Sequence, residues 1–193
     1  MQINEKKKLL REKAAALRSA VENREELSER IAQKLFSLDA YLSCNQVFAY
    51  FSYGCEVQTK LIIEKALSDG KKTALPRCEK SGAMSFHYIK SKSDLEEGVF
   101  KGIFEPKVNC EKAVLNEKTL VLVPALALGR DGTRLGHGMG FYDRFLSGFT
   151  GKTVGLCFET SLFETLPQEE NDIPVLLIIT ENEILSGKNA AQT

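Results

Sequence analysis

Leu120-Val-Leu-Val-Pro124, followed shortly by Arg134-Leu-Gly-His-Gly-Met-Gly-Phe-Tyr-Asp143, decides how this chain folds. The first piece is a continuous apolar run stopped by proline, which predicts a strand covered on both faces. The second places Gly136, Gly138 and Gly140 at alternate positions between an arginine and an aspartate, with a short helix predicted over 141–149. Glycine lets backbone N–H groups approach a ligand closely, and such amides at a helix start suit phosphate. Arg134 adds a planar cation for phosphate oxygens, and Asp143 a carboxylate able to hold magnesium. A tight strand-to-helix connection needs only one or two glycines, so the segment reads as a nucleotide site.

Outward from this segment, strand and helix patterns alternate. Leu10, Ala14, Leu17 and Val21 recur at helical spacing, which predicts an N-terminal amphipathic helix. Asn23 followed by Glu26 has the pattern of a capping box opening a second helix, with Leu27, Ile31, Leu35 and Leu38 on its buried face. The period then changes. Short apolar runs predict strands over 46–52, 72–75 (stopped by Pro76), 84–89, 153–158 and 175–180. Ile62, Ile63, Ala66 and Leu67 mark a helix over 57–67, with Gly70 at its end. Residues 90–117 have weak periodicity and read as loops with short elements. Strands alternating with helices predict an α/β domain with a mainly parallel sheet. No repeat, low-complexity stretch or linker divides the chain, so one domain over 1–193 is expected. Its helices fall at about 4–40, its core at about 45–185, and its end frays from Gly187 on.

Composition narrows the function classes. The 26 basic and 26 acidic residues cancel, which gives no electrostatic reason to expect nucleic acid or an anionic membrane as partner. The apolar runs are too short to span a bilayer. Cys44, Cys55, Cys78, Cys110 and Cys157 are odd in number and form no Cys-x-x-Cys pair, which suits a reducing compartment rather than a disulfide framework or zinc site. The first helix is charged from its start, without a leader pattern, so a cytoplasmic location is expected.

The glycine segment is not a Walker loop, because no Gly-Lys-Ser/Thr follows, and its spacing differs from the dinucleotide fingerprint. Lys6-Lys7-Lys8 with Arg11 reads alone as a solvated helix face. Glu56 follows the first strand, near the kind of strand edge at which open α/β sheets bind ligands; an exposed loop glutamate is the alternative. Asp172, in Glu169-Glu170-Asn171-Asp172, reads alone as part of an exposed acidic turn. No Ser/His/Asp or Cys/His set stands out, which disfavours a protein nucleophile.

Taken in order, these motifs resemble the 5-formyltetrahydrofolate cyclo-ligase (5,10-methenyltetrahydrofolate synthetase) family. The resemblance is carried by Lys7-Lys-Leu-Leu-Arg11, the Phe51 to Glu56-Val57 segment, Pro76-Arg77, Pro124 through Leu146, and Asn171-Asp172 followed by Ile178-Ile179-Thr180. It implies a three-layer α/β/α fold of the ribose-5-phosphate isomerase and CoA-transferase type. It also implies a reaction: Mg-ATP drives conversion of 5-formyltetrahydrofolate to 5,10-methenyltetrahydrofolate, releasing ADP and phosphate. By the same resemblance, Lys7, Lys8 and Arg11 contact ATP. The main ATP loop is Arg134, Leu135, Gly136, His137, Gly138, Met139, Gly140, Phe141 and Tyr142, with Arg134 catalytic. Arg11, Phe51, Glu56 and the stretch His137, Gly138, Met139, Gly140, Phe141 face folate, and Asp143 and Asp172 hold Mg2+. A monomer or weak dimer is expected. The chain departs from the family pattern at His137 (often Tyr or Arg), Met139 (often Gly or Lys), Gly129 and Leu176 (both often Asp). Those departures leave a binding module without turnover as one alternative. A sugar-phosphate isomerase, on fold analogy, is another, although it would need no ATP or magnesium.

Overall fold

The computed structural model describes residues 2–79 and 83–187. The chain opens with α1 (Ile3–Ser19), α2 (Arg24–Phe36) and the single turn α3 (Asp39–Leu42). It continues through β1 (Gln46–Phe48), α4 (Lys60–Ser68), β2 (Lys72–Cys78), β3 (Met84–Ile89), β4 (Leu95–Glu97), β5 (Phe104–Pro106) and β6 (Thr119–Val123). The last part holds β7 (Ala127–Gly129), β8 (Arg134–Leu135), α5 (Phe141–Leu146), β9 (Lys152–Leu156), β10 (Leu162–Phe163), β11 (Leu177–Ile179) and β12 (Ile184–Ser186).

Among the described residues one seven-stranded sheet dominates, in the order β12-β11-β9-β6-β1-β2-β3. The five inner strands run parallel, and β3 and β12 close the two edges antiparallel. The mainly parallel α/β architecture is as the sequence predicts. β6 supplies the reason: all five of its residues are buried. Leu120 and Leu122 point into the layer formed with Ile31 and Leu35 of α2 and Ile62 of α4. Val121 and Val123 point into the opposite layer, with Tyr142 and Leu146 of α5 and Leu128 of β7. Alternation by two thus feeds two cores from one apolar run. A small sheet, β10-β7-β8, lies on the second side, and Ala14 of α1 packs against its Ala127 and Leu135.

Several local expectations change. Asn23 does not cap α2 with its side chain; its backbone is left-handed (φ 52°) and its carbonyl accepts from Leu27 N–H at 3.1 Å. It is the corner between two helices. The N-terminal device sits instead at α1, where Glu5 Oε2 accepts from Gln2 N–H at 3.1 Å. α4 begins at Lys60, because the preceding chain is tied back by Thr59, whose hydroxyl donates to Tyr50 O at 2.6 Å and accepts from Ser52 N–H.

Pro76 does not stop β2. It pairs with Phe86, whose carbonyl accepts from Ala113 N–H on its far side, so Pro76 occupies a pair position that requires no donor. Gly187 is buried, and its N–H donates to Leu176 O at 2.8 Å, so it is held rather than frayed; residues 188–193 lie outside the described part. The short elements expected over 90–117 include the β4–β5 hairpin, and β12 is an additional element that the sequence did not predict.

β1 pairs with β2 on one side and β6 on the other, so the chain's progress across the sheet reverses between β1 and β6. Open α/β sheets bind ligands in the crevice beyond the C-terminal ends of the strands at such a point. Tyr50 and Phe51 follow β1 there, and Pro124 follows β6.

Candidate functional site

A cleft of about 890 Å³ opens at this reversal point, a size that suits a nucleotide or cofactor-sized ligand. It is lined by Lys7 and Arg11 of α1, Phe51 and Glu56 after β1, the whole Arg134–Asp143 stretch, and Asp172. Lys8, named beside them from sequence, is exposed and outside the lining, because Lys7 takes the buried side of α1.

The glycine segment has a defined local cause. β8 ends at Leu135, buried in the small core, and α5 begins at Phe141, anchored by Tyr142 and Leu146. The chain between must turn sharply. Gly138 (φ +92°) and Gly140 (φ +65°) adopt left-handed backbone that side chains rarely tolerate. At Gly138 a Cβ would also stand 3.3 Å from Arg11 Nη2. Arg11 is held across the loop by donating Nε–H to Gly136 O at 2.9 Å.

The cations of this end are ordered by carboxylates. Arg134 donates to Asp143 Oδ1 at 2.6 Å, with a side chain only 6% exposed. Asp143 Oδ1 also accepts from Ile173 N–H at 3.2 Å, which brings the acidic turn beside α5. Lys7 bonds Glu169 at 2.6 Å and Asp172 at 2.5 Å. Burial opposes its charge, but the bonds to Asp172 and Glu169 outweigh it and raise the Lys7 pKa. Two buried polar atoms here, Arg134 Nε and Tyr142 OH, have no hydrogen-bond partner among the described residues. Buried groups of this kind normally find partners, so both are suited to a ligand.

The other end is apolar. The β4–β5 hairpin brings Phe100, Ile103 and Phe104 to the cleft, with Phe104 ring-to-ring with Phe51 at 6.0 Å and Phe100 with Phe141 at 6.4 Å. The hairpin is fastened to β2 by Arg77, which donates to Glu96 at 2.9 Å and Pro106 O at 2.5 Å. Sequence reasoning missed this wall; its signal was the pair of apolar doublets Val99-Phe100 and Ile103-Phe104 bracketing Gly102. Glu56 sits between the two ends. Its Oε2 accepts from Tyr53 N–H at 2.9 Å and its Oε1 lies 4.0 Å from Arg18. Burial pushes its carboxyl above the ordinary range, against the pull of Tyr53 N–H and Arg18. His137 stands at the exposed rim. The cleft walls around it, with the Arg18 and Arg11 charges, pull its imidazole below the ordinary value.

Two carboxylates, Asp143 and Asp172, line one cleft beside the cation set, while no group of three metal-ligating side chains occurs among the described residues. That donor set fits magnesium, which is commonly held by one or two carboxylates together with substrate phosphates. No described helix is long and apolar enough to cross a membrane.

A family model described as the 5-formyltetrahydrofolate cyclo-ligase family matches residues 3–181. A 5-formyltetrahydrofolate cyclo-ligase of Haemophilus influenzae is 31% identical over 159 residues, covering 78% of this chain and 83% of that one. The enzyme of the same name from Escherichia coli is 28% identical over 182 residues, covering 91% and 98%. Among solved structures, the 5,10-methenyltetrahydrofolate synthetase of Aquifex aeolicus superposes with a TM-score of 0.82 at 32% identity, over 93% of this chain and 92% of that one.

Proposed function

Since the chain belongs to the 5-formyltetrahydrofolate cyclo-ligase family and is therefore an enzyme of folate metabolism, we propose that it converts 5-formyltetrahydrofolate to 5,10-methenyltetrahydrofolate with consumption of Mg-ATP. The observation that carries this reading is the pairing, in one cleft, of a glycine loop around the buried Arg134 with an aromatic wall at Phe51 and Phe104. One end suits phosphates and the other a flat ring.

The chemistry explains why phosphate and folate must share a site. A formamide oxygen leaves poorly, and its carbon is deactivated by N5. In the proposed reaction the formyl oxygen attacks the γ-phosphorus, the bond to the bridging oxygen breaks, and ADP departs. N10 then attacks the formyl carbon, the carbon–oxygen bond breaks, phosphate leaves, and the N10 proton passes to solvent. The protein's part is positioning and charge stabilisation, as in other phosphoryl transfers. Arg134 is the catalytic cation, with its Nε, which has no partner among the described residues, offered to a phosphoryl oxygen. Lys7 and Arg11 hold the outer phosphates, and the amides of Gly136 to Phe141 line the loop. Phe51 and Glu56 take the pterin.

Asp143 and Asp172 would hold Mg2+, which when bound supplies charge neutralisation on the phosphate oxygens. Met139 offers no cation, but Arg144 donates to its carbonyl at 3.0 Å, so positive charge returns to that part of the loop from α5. On this reading the chain forms a single domain.

The test is direct. Purified protein with 5-formyltetrahydrofolate and Mg-ATP is expected to generate the near-ultraviolet absorbance of the methenyl product, with ADP formed in equal amount. Folded protein that binds both ligands without forming product would instead support a binding module that has lost turnover.

A further inference from the structure

Among the buried polar groups of the cleft that the proposed reaction does not use, Glu105 carries the strongest acceptor. Glu105 of β5 is only 2% exposed, yet it lines the cleft. Its two carboxyl oxygens differ. Oε1 accepts from Cys78 N–H at 3.2 Å, which accounts for it as a tie between β5 and β2. Oε2 is buried and has no hydrogen-bond partner among the described residues. Arg77, the nearby cation, is committed elsewhere, to Glu96 and to the Pro106 carbonyl. The adjacent Cys78 thiol, with a pKa pushed up to about 12 by burial, then by the Glu105 charge and by a hydrogen bond to the Glu105 carboxyl, stays protonated and is the one side-chain donor facing that group among the described residues.

The surrounding chain is shaped to this carboxyl. Gly98, next to β4, has no side chain, and a Cβ there would stand 2.6 Å from Oε2. The neighbouring lining residues Met84, Ile103 and Phe104 are apolar. Burial pushes the Glu105 carboxyl above the ordinary range, against the pull of Cys78 N–H, the Arg77 charge and the Cys78 thiol, so its anionic form in such walls gains from a further donor. Of the two ligands proposed for the cleft, ATP brings negative phosphates and a single amino group on adenine, whereas a reduced pterin presents several N–H groups along one ring edge.

We propose that Glu105 is a specificity-determining residue for the folate, its Oε2 accepting a hydrogen bond from an N–H of the pterin ring. This rests on the folate reading of the cleft. With Glu56, it gives the ring two carboxylate acceptors, one from the loop after β1 and one from β5. The apolar residues beside Glu105 then cover the ring faces. The arrangement selects a ring rich in donors and rejects one that would present a carbonyl to Oε2.

Glu105→Gln tests the proposal. The amide oxygen can still accept from Cys78 N–H, while its NH2 group meets the ring N–H donor to donor. Loss of one hydrogen bond to a charged group predicts a rise of about 10- to 100-fold in KM for 5-formyltetrahydrofolate. KM for ATP and the melting temperature should stay near wild type. Gly98→Ala, which crowds the carboxyl without touching its chemistry, should raise the same KM and leave that for ATP alone. It decides the question should Glu105→Gln fold poorly. An unchanged folate KM overturns the proposal, as does an equal rise in both KM values, which would mark a structural tie only. Direct titration of wild-type protein with 5-formyltetrahydrofolate separates the two levels. If wild type does not bind it, the folate reading itself fails; if wild type and variant bind it equally, only the role of Glu105 fails.

Discussion

At the glycine-loop end of the cleft each of the two most buried cations already has a carboxylate: Arg134 has Asp143, and Lys7 has Glu169 and Asp172. At the hairpin end the aromatic rings Phe100 and Phe104 are 38% and 46% exposed, and the Oε2 of the buried Glu105 has no hydrogen-bond partner among the described residues. The difference follows from what each end can do without ligand. A buried guanidinium or ammonium needs a counter-charge for the fold to persist, so the glycine-loop end is held together by internal ion pairs. An apolar wall carries no such requirement and can wait open. On the proposed reading, a phosphate ligand would add to or replace these internal partners, whereas a ring ligand would mainly cover surface.

The most severe way to break this comparison is Arg134→Ala. It removes the buried cation and leaves Asp143 without its partner. Turnover should fall by about 10²–10³-fold, as for other preorganised donors, while direct binding of 5-formyltetrahydrofolate stays within a few-fold of wild type. Near-wild-type product formation would remove Arg134 from the chemistry. Asp143→Ala comes next. If that carboxylate leaves Arg134 to hold magnesium with the phosphates, the magnesium concentration for half-maximal rate should rise at least about tenfold. An identical magnesium titration for the two proteins would leave Asp143 with only its role of ordering Arg134 and Ile173 N–H.

The two ends also differed in how far they could be read from sequence. Leu120 to Val123 announced a doubly covered strand because alternation by two and burial on both sides leave no room for polar residues. The three glycines were legible because a left-handed backbone at Gly138 and Gly140 restricts residue choice locally. The partner of Lys7 was not legible, since Asp172 lies 165 residues away and only the fold brings them together. Pro76 misled because a strand's tolerance of proline depends on which pair position it occupies, and that is set by β3 and Ala113. The aromatic wall was hidden for a related reason. Its strands β4 and β5 have three residues each, too short for a period, and its rings gain meaning only opposite Phe51.

The mildest change sharpens the contrast from the apolar side. Phe104→Ala removes a half-exposed ring that packs on Phe51 and makes no described hydrogen bond through its side chain. If the wall serves by covering a flat ring, its removal costs only stacking and apolar contact. An aromatic pair is worth roughly 0.5–1.5 kcal/mol beyond area, so KM for 5-formyltetrahydrofolate should rise about five-fold. The ATP KM and the magnesium titration should not move, because no charge at the loop end depends on Phe104. A loss of turnover at saturating folate would contradict that division, since it would mean that the hairpin also positions the formyl group against the phosphate. An unchanged folate KM would place the ring elsewhere in the cleft, leaving Phe51 and Glu56 to hold it from the β1 side alone.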